Sequence, residues 1–357
     1  MRTPVVREPN MFRKRSVVKA WAGILAGRPP ILSIEITREC PLDCPGCYAY
    51  GDTHLGGAVT LRQLSDLRGD ALVEGILDLV RRQKPLDVSL VGGEPLVRVK
   101  ELSRLLPLLA KKGITAMVVT SGVIAIPKDW MKIPGVRVAV SVDGLAEHHD
   151  VRRKPATYER ILRNIRGCRI DLSWVITQVM MERRGYLDEY LEFWSARPEV
   201  NRIGMNIYTP QVGEHSAEML TPEARRELVG QLPSLKKLYP KFWMIDGVAR
   251  AFGEPPSSPN ECTFSKLSVN YSADLETQVQ PCVFGGNPDC SQCGCGVTAL
   301  LHHVGTLKIA GPLRINHVLN PSIAVGQFIN RLRPGSTKMK RWRPAPNETK
   351  TGLVEIR

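Results

Sequence analysis

Three thiols fall within eight residues in Cys40-Pro-Leu-Asp-Cys44-Pro-Gly-Cys47, directly after the apolar run Ile31–Thr37. Thiolates are the soft ligands that select iron-sulfur clusters and zinc, and a loop leaving a strand can aim three of them at one point. A cubane cluster has about four irons, so three protein sulfurs leave one iron open to another ligand. Structural zinc sites instead show paired Cys-x2-Cys arms and a closed fourth position, which makes zinc the second reading.

Two further strand ends carry chemistry. Asp87–Val91 runs into Gly92-Gly93-Glu94-Pro95, where glycines permit close backbone approach and Glu94 offers a carboxylate to a cation. Alone, that tetrapeptide is a tight turn. The run Arg137–Val142 closes on Ser141, Asp143 and Gly144, followed by Glu147-His148-His149-Asp150 and Arg152, and Thr120-Ser121-Gly122 ends the preceding strand in the same way. Short polar side chains at the carboxyl ends of parallel strands face the mouth where ligands bind. His148 and His149 read as a solvated helix start and are not assigned as ligands.

Cys-x3-Cys-x2-Cys after a first strand, with Gly-Gly-Glu-Pro one strand-helix unit later, resembles the radical S-adenosylmethionine family. The resemblance implies a [4Fe-4S] cluster on Cys40, Cys44 and Cys47, with S-adenosylmethionine on the open iron. Gly92, Gly93, Glu94 and Pro95 would contact its methionine amino group. Thr120, Ser121, Ser141 and Asp143 would contact its ribose and carboxylate. The residue before the last cysteine is often aromatic in that family and is Gly46 here, which leaves Tyr48 as the aromatic neighbour of the adenine. The implied activity is reductive cleavage to a 5′-deoxyadenosyl radical that attacks an unactivated carbon, fed by a flavodoxin or ferredoxin.

Strand-like runs recur at Ile31–Thr37, Val88–Val91, Thr115–Thr120, Val136–Val142, Leu172–Val179 and Arg202–Tyr208. Between them Leu61–Arg82, Leu102–Lys112, Tyr158–Arg166 and Tyr186–Ser195 repeat apolar residues at helical spacing. Such alternation predicts a parallel sheet in an α/β fold, and the resemblance makes it a partial (β/α)6 TIM-type barrel over residues 30–236. The expected organisation is a basic amphipathic segment at 1–29, the barrel, a joint at 237–259 around Gly253-Glu-Pro-Pro-Ser-Ser-Pro259, a cysteine-rich domain at 260–305 and a basic tail at 306–357.

Five of the nine cysteines, Cys262, Cys282, Cys290, Cys293 and Cys295, lie within 34 residues. Cys290-x2-Cys293 is a chelating pair, and Cys262 and Cys282 would arrive from the flanks of a hairpin on Leu267–Tyr271 and Thr277–Gln280. This layout resembles the auxiliary-cluster extensions called SPASM and twitch, and the tail of the adenosylhopane-forming enzymes. It implies a second [4Fe-4S] cluster on Cys262, Cys282, Cys290 and Cys293 with Cys295 as alternate ligand, or zinc in the same cage. Residues 1–19 lack a secretory h-region, so a reducing cytoplasm and metal binding are expected rather than disulfides. Cys168 reads as a small buried hydrophobe.

Most of the net charge of +14 sits at the ends: residues 1–28 hold seven Lys and Arg against Glu8, and residues 331–343 hold six with no acid. Val17, Val18, Trp21, Ile24 and Leu25 recur at helical spacing beside Arg13, Lys14, Arg15 and Lys19. This stripe fits either a peripheral membrane contact or a cap on the barrel's bottom. With the hopanoid resemblance it leans the expected substrate toward a lipid or isoprenoid. A peptide-modifying maturase and a non-catalytic iron-sulfur or zinc protein are the alternatives. No apolar run spans a membrane, and no stacking-aromatic motif points to nucleic acid.

Overall fold

Parallel strands joined by amphipathic crossover helices must bury both faces of their sheet, and the chain does so with one mixed α/β layer structure. The computed structural model describes residues 14–332. Its strands in the main sheet are β1 Ile31–Glu35, β2 Asp87–Val91, β3 Thr115–Thr120, β4 Val136–Ser141, β5 Ile170–Ile176, β6 Val200–Ile207 and β7 Ser268–Tyr271. They lie in the order β6-β5-β4-β3-β2-β1-β7, each neighbour parallel to the next. The helices are α1 Lys14–Leu25, α2 Gly69–Gln83, α3 Val99–Lys111, α4 Ala146–Arg152, α5 Tyr158–Asn164, α6 Gln178–Met181, α7 Tyr186–Ser195, α8 Pro222–Leu238, α9 Asp246–Gly253, α10 Thr263–Leu267, α11 Gly296–Thr306 and α12 Ile315–Leu332. A short antiparallel pair, β8 Lys308–Ala310 and β9 Leu313–Arg314, precedes α12.

Alternation along the strands sorts the side chains. Leu32 and Ile34 of β1, Val88 and Leu90 of β2 and Val118 of β3 are buried with Leu72, Ile76 and Leu79 of α2 and Leu102, Leu106 and Leu109 of α3 in one continuous core. The opposite face carries Ser33, Glu35, Ser89, Ser141 and Ser173, polar residues turned to the concave side.

Four details differ from the sequence expectation. Leu61–Arg82 is not one helix: Thr60 and Gln63 form a capping box around a 3-10 turn at Leu61–Gln63, and α2 begins only at Gly69. The fifth strand stops at Ile176, because Thr177 is the N-cap of α6 and the chain turns into that helix. The expected hairpin is not a separate ribbon. Its first arm is β7, which pairs with β1 as a seventh barrel strand, while the second lies antiparallel to it over a short stretch, with Val279 N–H on the Asn270 carbonyl at 3.0 Å and Ser272 N–H on the Thr277 carbonyl at 2.8 Å around the Tyr271–Gln278 bridge. Nor does the expected joint separate one core from another, since Val248, Phe252, Val269, Tyr271 and Ala299 share the barrel's core.

The terminal stripe is partly consumed. Ile24 and Trp21 of α1 pack with Leu267, Leu319 and Ile323, so α1 caps the amino ends of the strands together with α12, leaving Val17, Val18 and Leu25 exposed. Most of the basic run at 331–343 lies outside the described residues.

His149 is the reverse of a solvated helix start. It is fully buried, its Nδ1 accepts from the Asp143 N–H at 3.1 Å and its Nε2 donates to Thr157 Oγ1 at 2.8 Å. That arrangement needs a neutral imidazole, and burial lowers its pKa to about 4. Above it Tyr190, stacked on Trp174 at 3.9 Å, donates to the Val142 carbonyl at 3.0 Å. Together they pin the carboxyl end of β4.

Two outcomes follow from this pin. Tyr190→Phe leaves a buried carbonyl without a donor and should cost about 1 to 3 kcal/mol in urea unfolding. The unfolded chain protonates His149 near pH 6.5 and the folded chain only near pH 4, so the unfolded state binds more protons in between. Stability present above pH 6.5 should therefore fall toward pH 4, and His149→Gln should flatten some of that slope.

Candidate metal and nucleoside site

The cysteine loop leaves the carboxyl end of β1 on a stem that is tied to the loop after β2. Gly93 N–H donates to the Thr37 carbonyl at 2.9 Å and Glu94 N–H to the Glu39 carbonyl at 2.7 Å. This contact requires glycine: a Cβ on Gly93 would stand 2.2 Å from the Glu39 oxygen, and Gly92 adopts φ +132° with its would-be Cβ 2.7 Å from the Thr37 oxygen. Arg98 clamps the same stem through Glu39 at 3.0 Å and through Asp66.

Glu94 differs from the expected cation contact. It is fully buried, and its carboxylate accepts from Leu96 N–H at 2.9 Å, Thr120 Oγ1 at 2.6 Å, Ser121 N–H at 2.8 Å and Ser121 Oγ at 2.5 Å. The chain itself satisfies both oxygens. Glu94, Thr120 and Ser121 thus form one knot that welds the ends of β2 and β3, leaving the backbone of the glycine turn to face a ligand.

Cys40, Cys44 and Cys47 are half-buried and unpaired. Burial pushes Cys40 up to about 11 and raises Cys44, against which the Arg153 guanidinium pulls down. The loop's far side is held by Asp43 N–H donating to the Lys154 carbonyl at 2.8 Å, which brings Arg153 beside the thiols. Arg153 Nε also donates to Asp143 Oδ2 at 2.9 Å. Burial opposes the ionised Asp143, yet Arg153 and Arg152 outweigh it and hold its carboxyl below the usual range. Asp143 Oδ1 is buried without a partner. An orphaned carboxylate oxygen beside three thiols is what a bound nucleoside hydroxyl would satisfy. Ser141 stands half-buried two residues earlier on β4.

Tyr48 is 44% exposed and makes two ring contacts. Its ring meets Phe284 edge-on at 5.6 Å and His54 at 5.7 Å, so it packs toward the second cysteine group.

That second group lines one narrow pocket, walled by Cys262, Cys282, Cys290, Cys293 and Cys295 with Phe264, Phe284 and Thr298 among the other residues. Cys262 caps α10, its Sγ accepting from Ser265 N–H at 3.5 Å, and Cys295 stands at the start of α11. Burial pushes Cys290 and Cys293 up to about 12 and raises Cys282 and Cys295. All five sequence-expected cysteines are brought together, and Cys295 is as buried as Cys262. Among the described residues, the front thiols included, no three His, Cys, Asp or Glu side chains are gathered as a single ion would need.

The lobe spans the open side of the barrel. On the β6 side Ile207 N–H donates to the Gly294 carbonyl at 2.8 Å, Asp289 N–H to Pro210 at 2.8 Å and Val212 N–H to Asn287 at 2.8 Å. Arg225 of α8 donates to the carbonyls of Gln292 at 2.7 Å and Cys293 at 3.1 Å. Arg153, Arg225, His54 and Glu35 are not among the site residues that the sequence suggests. A lone Arg after a helix, or a His in a loop, carries no local mark of its partners, which lie tens to hundreds of residues away.

Comparison with known proteins agrees with this geometry. The Radical SAM superfamily model matches residues 34–192, from β1 into α7. The Fe-coproporphyrin III synthase of Methanosarcina barkeri (strain Fusaro / DSM 804) is 30% identical over 146 residues, 40% of this chain and 34% of that protein. The chain thus spans about a third of the curated relative it matches. Among solved structures, Streptococcus suis SuiB bound to precursor peptide SuiA superposes with a TM-score of 0.52 at 16% identity, over 75% of this chain and 62% of that one. Native anSMEcpe with bound AdoMet gives 0.51 at 15% identity, over 84% of this chain and 97% of that one. These two likenesses speak to the fold. With the cysteine loop, the Gly-Gly-Glu-Pro turn and the parallel half-barrel in place, residues 34–192 carry the features of the Radical SAM superfamily whose model they match.

Proposed function

We propose that the protein is a radical enzyme that cleaves S-adenosylmethionine reductively and uses the product on an unactivated carbon of an organic substrate. The observation that carries this is the union of a three-thiol loop, a glycine turn stitched to its stem and the orphaned Asp143 Oδ1. A [4Fe-4S] cluster on Cys40, Cys44 and Cys47 would supply the electron for that cleavage when bound.

The chain's own residues then have definite tasks. Thiols held up by burial must lose protons to bind iron, so loading releases protons and is favoured by higher pH. Arg153 offsets the negative charge that the thiolates would bring. The Gly92–Glu94 backbone presents carbonyls to an ammonium group, and Asp143 accepts from a hydroxyl. Glu94, Thr120 and Ser121 hold the turn rigid rather than touching the ligand.

We assign the rear cavity a second [4Fe-4S] cluster, with its four ligands drawn from Cys262, Cys282, Cys290, Cys293 and Cys295. Four thiolates satisfy zinc as well as iron, and the iron count on reconstitution separates the two. The exposed residues of α1 lie at the amino ends of the strands, opposite Cys40, Cys44 and Cys47, so they support peripheral contact of the molecule but not delivery of a lipid into the barrel mouth.

Anaerobic reconstitution tests the reading. Wild type should hold about eight irons per chain and form 5′-deoxyadenosine with dithionite. Cys44→Ala should abolish nucleoside formation. Cys293→Ala should lower iron to about four per chain yet keep slow turnover. Full turnover by Cys44→Ala would refute the assignment. Asp143→Asn should weaken S-adenosylmethionine binding about tenfold, a loss of ~1.4 kcal/mol by equilibrium dialysis.

A further inference from the structure

Glu35 and His54 form a buried acid-imidazole pair that the proposed chemistry does not use. Glu35 ends β1, just before the stem of the first cysteine loop, and His54 follows Cys47 by seven residues. Both are almost wholly buried, at 5% and 2% exposure, although such groups are seldom buried unless paired. His54 Nε2 meets Glu35 Oε1 at 2.6 Å, and Glu35 Oε2 accepts from Ser272 Oγ at 2.5 Å. The ring's other nitrogen, Nδ1, donates to the Phe284 carbonyl at 2.9 Å.

Phe284 is two residues beyond Cys282. The contact is doubled, because Gly286 N–H donates back to the His54 carbonyl at 3.1 Å. The rear chain is shaped for this approach: Gly285 and Gly286 take φ +63° and +61°, and a Cβ on Gly285 would stand 2.2 Å from the His54 oxygen and 2.4 Å from its Nδ1. Tyr48, next to Cys47, closes the contact by packing on both His54 and Phe284. The rear lobe is therefore fastened at two ends. Backbone bonds and Arg225 hold it to β6, and His54 holds it to the front loop.

We propose that His54, oriented by Glu35, is a positioning residue that sets the rear cysteine lobe against the front cysteine loop and so fixes the alignment of two metal clusters; this rests on the two-cluster reading above. Carboxylate-to-imidazole support is the arrangement that fixes ring orientation around metal sites, here acting on a backbone carbonyl instead of a metal. A buried pair of this kind costs desolvation that its own attraction does not clearly repay. Its use lies in the geometry it specifies.

The test uses the full chain, reconstituted with iron and sulfide and reduced with dithionite. Wild type should show magnetic interaction between two reduced clusters as splitting or broadening of the electron paramagnetic resonance signal. His54→Ala should keep about eight irons per chain and its 5′-deoxyadenosine formation but lose that interaction pattern. His54→Asn, whose amide can still reach the Phe284 carbonyl, should recover some of it. Glu35→Gln, which frees the ring to turn, should shift it. Should His54→Ala fail to fold, the Asn and Gln variants carry the comparison. Unchanged interaction in the variants that hold both clusters would overturn the positioning role. A wild-type count near four irons would instead refute the two-cluster reading and the proposal with it.

Discussion

Everything at the mouth of this barrel depends on how closely two loops approach. The stem before Cys40 and the Gly92–Glu94 turn share two backbone hydrogen bonds, and the space between them admits no side chain at Gly93. Backbone groups so paired have lost their freedom to water, and a buried unpaired one is costly. The glycine turn therefore cannot move without dragging the cysteine loop, which places the thiols at a set distance from the carbonyls that face a ligand. Parallel strands put both loops at the same end; the glycines let them touch.

The second constraint is closure. A six-stranded half-barrel leaves β1 and β6 unpaired on one side. The chain solves this with its own later sequence: β7 covers β1, and the segment carrying Cys282 to Cys295 reaches from the β1 loop to β6. The rear cysteines thus belong to the wall of the barrel. Arg225, with its guanidinium on the carbonyls of Gln292 and Cys293, shows how much of that wall is backbone held by one side chain. The high pKa values of the rear thiols follow from the same enclosure, and metal binding would be what draws their protons away.

Much of this is legible in the sequence because its signals are local. The cysteine spacing, the glycine turn and the strand-helix alternation each sit within a few residues, and the half-barrel and the gathering of five rear cysteines agree with them. What is not legible depends on contacts across long separations. Glu94 resembles a ligand because a carboxylate beside glycines suggests a cation, and only Thr120 and Ser121, 26 and 27 residues on, show it to be internally satisfied. His149 reads as solvated because its partners, Asp143 N–H and Thr157, depend on the path of the chain rather than on helical periodicity. His54 gives no sign, since Phe284 lies 230 residues away. The 3-10 turn at Leu61 is hidden by apolar spacing that also fits a longer helix.

The central claim is that three cysteines hold a cluster whose remaining iron is free for S-adenosylmethionine. The most direct measurement is Mössbauer spectroscopy of anaerobically loaded Cys293→Ala protein, which isolates the front site, recorded before and after addition of S-adenosylmethionine. The account predicts that one iron in four changes its isomer shift on addition. Four irons that stay equivalent, or a front site filled by zinc, would contradict it.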